Sequence, residues 1–135
     1  MLQDKYDGVR KIIQTKLYNE WNDTKIKFSN FPLDTDPTES WISLHIVFGD
    51  EAHNSISNRN AVYRGAGLFQ IDICVPINIG TGTLNVLATK LHDIFISYKT
   101  DSFRVKSASY TEGFIENDIW YKGVLTFYFN WDYLV

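Results

Sequence analysis

Near the start of the chain apolar residues recur at Tyr6, Val9, Ile13 and Leu17, with Ile12 and Trp21 widening the stripe. That three-and-four spacing predicts an amphipathic helix from Asp4 to Trp21, ending near Asn22. Ile26 to Phe31 alternates as a short strand until Pro32, which has no N–H to give a ladder. Pro32 to Ser40, with two prolines, two aspartates and two threonines, reads as a loop. From Trp41 to Phe48 the pattern is a strand, with Ile42, Leu44, Ile46 and Phe48 on one face and Trp41, Ser43, His45 and Val47 on the other. Gly49 to Tyr63 is polar and without period, which predicts a long loop of the kind that usually binds something or is disordered.

Gly65 and Gly67 bracket the entry to the next strand, Leu68 to Val75. It carries Phe69, Ile71, Ile73 and Val75 on one face, Leu68, Gln70, Asp72 and Cys74 on the other, and stops at Pro76. Gly80-Thr81-Gly82 leads into a second helix, with Thr83 as its expected cap and Leu84, Leu87, Leu91, Ile94 and Phe95 as its buried stripe, running to about Tyr98. Phe103, Val105 and Ser107 then alternate with Arg104, Lys106 and Ala108. A polar turn follows around Glu112-Gly113 and Glu116-Asn117-Asp118. The last strand places Ile119, Tyr121, Leu125, Phe127, Phe129 and Trp131 opposite Trp120, Lys122, Val124, Thr126 and Tyr128. Five strands and two helices in the order α-β-β-β-α-β-β lack the regular alternation of a parallel sheet. The expected fold is therefore a single α+β domain, residues 1–135, with a mostly antiparallel sheet of about five strands and both helices packed on one face.

Length agrees with one domain, since 135 residues suit a single core. A formal net charge of -3 supplies no strong positive field for a phosphate backbone, so nucleic-acid binding is not expected. One cysteine, Cys74, excludes an internal disulfide framework. The amino terminus lacks the layout of a secretory signal, and no apolar run is long enough to span a bilayer, so a reducing cytosol and no membrane are expected.

Motifs for chemistry fail on detail. Gly80-Thr81-Gly82-Thr83 stands where a phosphate loop would, but Asn85 occupies the place of a third glycine, and a glycine turn before a helix accounts for it. His45, His53 and His92 fall on three unrelated segments, and no spacing brings them to Asp50 or Glu51 as a metal site. Asp34-Thr35-Asp36 begins like a calcium loop but lacks the turn glycine, and suits an Asx turn better. Cys74, mid-strand, reads as a small hydrophobe rather than a nucleophile. No catalytic residue, metal or cofactor is expected, and a hydrolase or transferase using His45 or Cys74 is the weakest reading.

The aromatic content changes the picture: 4 Trp, 8 Tyr and 9 Phe are spread over both faces of the expected strands. If two helices cover the face of Ile42, Ile71 and Phe127, then Trp41, Val47, Leu68, Trp120, Val124 and Tyr128 remain on the reverse. That exceeds the scattered apolar exposure of a monomer and predicts a protein contact, unless loops 32–40 and 49–64 fold over it.

The chain also resembles the tail terminator proteins of long-tailed bacteriophages. The likeness rests on a first helix ending in Trp21, the strand Trp41-Ile42-Ser43-Leu44 before a long polar segment, and Arg64-Gly65-Ala66-Gly67-Leu68-Phe69-Gln70-Ile71-Asp72-Ile73. Pro76, the glycines at 80 and 82, a helix ending Ile94-Phe95, and closing Trp120-Tyr121 and Trp131 complete it. The chain departs from that family in being richer in Asn, Lys and Tyr and in lacking any motif that fixes a partner. The resemblance implies a structural protein of the virion tail, assembled in the host cytoplasm. A ring of six copies would cap the major tail tube protein, end tail growth and offer a surface to the head-completion or connector protein. The uncovered face supplies the expected interface residues, Trp41, Leu68, Trp120, Val124 and Tyr128. Arg59 and Arg64 are expected to reach partner carboxylates from the long loop. A small ligand- or peptide-binding module encoded in a phage or prophage tail operon is the alternative.

Overall fold

The protein is described here by a computed structural model covering residues 5–28, 36–56 and 61–134. Its elements are α1 (Lys5–Glu20), β1 (Lys25–Lys27), β2 (Trp41–Ile56), β3 (Ala61–Pro76), α2 (Thr81–Phe95), β4 (Phe103–Glu116) and β5 (Trp120–Leu134). The strands form one sheet in the order β1-β2-β3-β5-β4. Only β1 and β2 run parallel; every other neighbouring pair is antiparallel. This is the α+β fold that the pattern predicts.

Both helices lie on one face because their stripes match the sheet's apolar rows. α1 buries Val9, Ile13 and Leu17, and α2 buries Leu84, Leu87, Ala88, Leu91 and Phe95. They meet Ile42, Ile71, Ile73, Leu125 and the aromatic residues of β3 and β5 in one continuous core. Phe69 sits at its centre, with ring centroids 4.9 Å from both Phe95 and Phe127. Each such side chain stabilises the fold by roughly 1.5–3 kcal/mol relative to exposure.

Two glycines of the Arg64-Gly65-Ala66-Gly67 segment have a direct steric cause. Gly65 pairs with Trp131 and Gly67 with Phe129 across the β3–β5 ladder. A Cβ on Gly65 would fall 2.3 Å from the Trp131 ring, and one on Gly67 would fall 2.8 Å from the Phe129 ring and 2.6 Å from the Val47 carbonyl oxygen. The indole and the phenyl ring lie over the strand where a side chain would otherwise stand.

Length separates the layers. Sixteen residues of helix span roughly 24 Å, whereas sixteen of strand span roughly 53 Å. Each long hairpin therefore runs past the helix layer, β2–β3 at one end of the sheet and β4–β5 at the other.

This explains where the sequence reading departs from the fold. Gly49 to Tyr63, expected to be a loop, is strand to Ile56 and again from Ala61, with bulges between Phe48 and Glu51 and between His53 and Ser55. No apolar period marks it because the arm runs beyond the core; its ladder is held by backbone groups, and at its base Glu51 accepts hydrogen bonds from Lys5, Tyr6 and Tyr133. The polar turn expected from Glu112 is likewise strand to Glu116. A bulge between Val105 and Ser107 shifts the pairing, so Ala108, opposite Phe127, faces the helices and Ser107, opposite Tyr128, faces away. α2 starts at Thr81 after Gly80, whose φ of 89° suits glycine, and no side chain caps it, so Thr83 is not its cap. β1 ends at Lys27, and the part of its expected span beyond residue 28 lies outside the described residues. Asp36 does form the Asx turn, accepting hydrogen bonds from the Thr38 amide at 2.9 Å and the Thr38 hydroxyl at 2.7 Å.

Candidate functional site

The face of the sheet away from the helices carries alternate residues of β2, β3, β5 and β4 in rows set by the register. Val47, Leu68, Tyr128 and Ser107 form one row. Val47 is 51% exposed and Tyr128 42%, with Leu68 and Val124 half-buried. Neither α1 nor α2 lies over this row, since both pack on the opposite side.

Toward the β2–β3 hairpin the face turns polar. Arg64 donates from Nε to Asp132 at 2.8 Å, and Arg104 donates from Nη2 to the same carboxylate at 2.7 Å and from Nη1 to Asn130 at 2.7 Å. Asp132 is buried, and the hydrogen bond from Arg64 holds its carboxyl below the usual carboxylate range. Two guanidinium groups thus share one carboxylate, leaving about one positive charge. Arg64, expected to await a partner, is already engaged within the chain, in a strand and not a loop. Arg59 lies outside the described residues.

Toward the β4–β5 hairpin, Trp120 stands edge-on to Trp41 at 5.9 Å and 86°. Trp120 is only 5% exposed and Trp41 is half-buried, so the indole pair shields itself and the exposed row shrinks to Val47 and Tyr128, with Leu68 half-buried between them. Beside it lies a hollow of about 380 Å³ lined by Lys27, Phe28, Trp41, Ser43, His45, Asp72, Cys74 and Glu116. The Trp41 indole N–H, itself out of solvent, has no hydrogen-bond partner. Cys74 is fully buried; burial first, and then the Glu116 charge, push its thiol up to about 12, so no thiolate forms near neutral pH.

The histidines stay apart. His45 is exposed on β2, His53 packs on Tyr63 at 5.0 Å on the hairpin arm, and His92 contacts Asp93 on α2. Among the described residues no cluster of three His, Cys, Asp or Glu is placed to hold a metal. No helix among them is long and apolar enough to cross a membrane.

The turn expected at Glu116-Asn117-Asp118 is present, and only the apolar residues around it escape the sequence reading. The β4–β5 turn is tight: Asn117 and Asp118 both have positive φ, 54° and 55°, and the Ile119 amide donates to the Glu116 carbonyl at 3.1 Å. Two consecutive positive φ values are the mark of a type I′ hairpin turn. Around it Phe114 is 47%, Ile115 60% and Ile119 39% exposed. The adjacent Phe114-Ile115 between acidic residues was the available signal, hidden by reading the whole segment as a polar turn.

No family model and no curated protein matches the chain. Among solved structures 22 chains match. One, of a protein without a functional name, superposes with a TM-score of 0.63 at 12% identity, over 90% of this chain and 94% of its own. At that identity the likeness concerns the fold alone. The class established is a single-domain α+β protein with one open sheet face.

Proposed function

We propose that this protein is a structural, non-enzymatic component of a phage tail, whose copies join in a ring of six on the end of the tail tube. There the ring ends tube growth and presents a surface to the head-completion protein. The observation that carries this reading is the row of exposed Val47 and Tyr128 about half-buried Leu68, on a sheet face that two helices on the other side cannot reach. The resemblance in segment order to tail terminators, from the helix ending in Trp21 to Trp131, supplies the biological setting. Electron microscopy of the purified protein with tail tubes tests it. Rings or capped tube ends support the proposal; a strict monomer that leaves tube ends bare overturns it.

The hollow lined in part by Trp41 favours one second reading, a module that binds a small ligand or peptide. Quenching or shift of Trp41 emission on titration with a ligand library, with no effect on tubes, would select it.

A further inference from the structure

We propose that the β4–β5 hairpin tip of one copy seats on the open sheet face of the next. This specifies the contact within the ring and rests on the reading that copies of the chain join.

The tip is built as a plug. Its type I′ turn fixes it without side-chain support, and Phe114, Ile115 and Ile119 present more apolar surface than a free hairpin end has use for. Glu112 and Asp118 flank them, and neither has an ion-pair partner among the described residues. The plug is therefore apolar with an acidic rim.

The complementary surface begins midway along the same sheet and runs toward its other end. Val47, Leu68 and Tyr128 form its apolar floor, and the surplus positive charge of Arg64 and Arg104 borders it. Nη1 of Arg64 and Nε of Arg104 carry N–H groups that the Asp132 and Asn130 bonds do not use. Spacings agree as well. On the face, Asn130 and Asp132, which hold the arginines, lie two and four residues beyond Tyr128, roughly 7 and 13 Å at ~3.3 Å per residue. On the plug, Glu112 lies two and three positions from Phe114 and Ile115, roughly 7 and 10 Å along an extended strand, and Asp118 adjoins Ile119 at the turn.

The plug cannot satisfy its own face. Glu116 pairs with Trp120, and Tyr128 is eight residues further along the same strand, roughly 26 Å away. Because plug and face are different patches, a head-to-tail contact leaves one copy's face and the other copy's plug free, so it can propagate, and it forms a ring when the rotation between neighbours closes. Opposite charges at its rim also make it sensitive to salt.

Sedimentation velocity of the full chain at concentrations up to about 1 mM, where a Kd weaker than that marks no specific contact, tests the proposal with two variants. Phe114→Ser/Ile115→Ser removes the plug, and Val47→Glu/Tyr128→Glu spoils the face; all four residues are exposed, and a thermal melt verifies that each variant is folded. Wild type is expected to associate beyond a dimer, at least about tenfold more weakly when salt is raised from low to several times physiological. Each variant alone should sediment as a monomer, and their equimolar mixture should form a dimer and stop there. Glu112→Lys, which reverses a charge and leaves the Asn117–Asp118 turn untouched, should associate more weakly than wild type. A wild type monomeric throughout, a plug-less variant that associates like wild type, or a mixture that does not pair overturns the proposal. Tube capping separates this from the broader reading. If the plug-less protein caps tubes as wild type does, the plug is wrong and the tail role stands. If the mixture pairs as expected but wild type ignores tubes, the tail role is wrong and the plug stands.

Discussion

Replacing Gly65 with alanine isolates the steric argument for the glycine-rich segment. The new Cβ would lie 2.3 Å from two carbons of the Trp131 ring and 2.6 Å from a third, more than 1 Å inside ordinary contact. Trp131 is fully buried, with Phe48 at 5.5 Å, Phe129 at 5.8 Å and Tyr6 at 6.4 Å around it, so the ring has no free direction of retreat. Overpacking of this kind costs about 1–3 kcal/mol, and the rigidity of the site places the expected loss at the upper end, about 3 kcal/mol. Gly123→Ala is the control. Its Cβ would meet the Tyr110 hydroxyl at 2.7 Å, but Tyr110 is 37% exposed on the edge strand and can swing aside. The control should lose less than about 1 kcal/mol. Urea unfolding followed by tryptophan emission measures both. At a slope of about 2 kcal/mol per M the expected midpoint drop is about 1.5 M for Gly65→Ala and under about 0.5 M for Gly123→Ala. Equal drops would refute the claim that Trp131 occupies the place of a side chain.

Three further outcomes follow from the same contacts. Asp132 has a folded pKa below its unfolded one, chiefly through Arg64, so its contribution is full above the unfolded carboxylate value of about 4 and lost as pH falls through the folded one. Asp132→Asn should therefore lower stability by about 1–3 kcal/mol at pH 7 and flatten the acid limb of the stability profile below about pH 4, measured by urea titration across pH; an unchanged limb contradicts the network. Cys74, buried with its thiol raised to about 12, should resist a disulfide reagent at pH 8 until denaturant is added, and rapid native labelling would show the strand to be accessible. Trp120→Ala should cost about 3 kcal/mol or more although it lies on the helix-free face, because that side chain is 5% exposed, whereas Tyr128→Ala should cost under about 1 kcal/mol; thermal melts that rank them the other way would reverse the assignment of which aromatic is packed and which is free.

The sequence carried the layered part of the fold because burial imposes periods on side chains. Val9, Ile13 and Leu17 on α1, Leu84, Leu87 and Leu91 on α2, and the alternation at Ile42, Ile71 and Phe127 all face one core, and each is legible as a period. Beyond that core the signal fades. The arms from Gly49 to Ile56 and from Thr111 to Glu116 are paired through backbone amides and carbonyls, which any residue provides, so their polar side chains read as loop. Of the candidate site, the face of Trp41, Leu68, Trp120, Val124 and Tyr128 was legible from alternation alone. What alternation could not convey is that Trp41 and Trp120 would shield one another, or that Arg64 would find Asp132, sixty-eight positions later in the chain. Contacts of that kind arise from register between distant strands and leave no local trace.

The overhang of the strands past the helices has a dynamic corollary. Where a ribbon has solvent on both sides, few apolar contacts hold it, and its amides can open without the rest of the domain unfolding. Deuterium uptake should therefore be graded along single strands: slow in β3 and β5 beneath Phe69 and Phe127, and fast at Ala52 and His53 and at Thr111 to Glu116. The domain would then behave as a stiff middle with two compliant ends. Such ends can bend to meet a neighbour, while the stiff middle keeps the shape of whatever assembly they join.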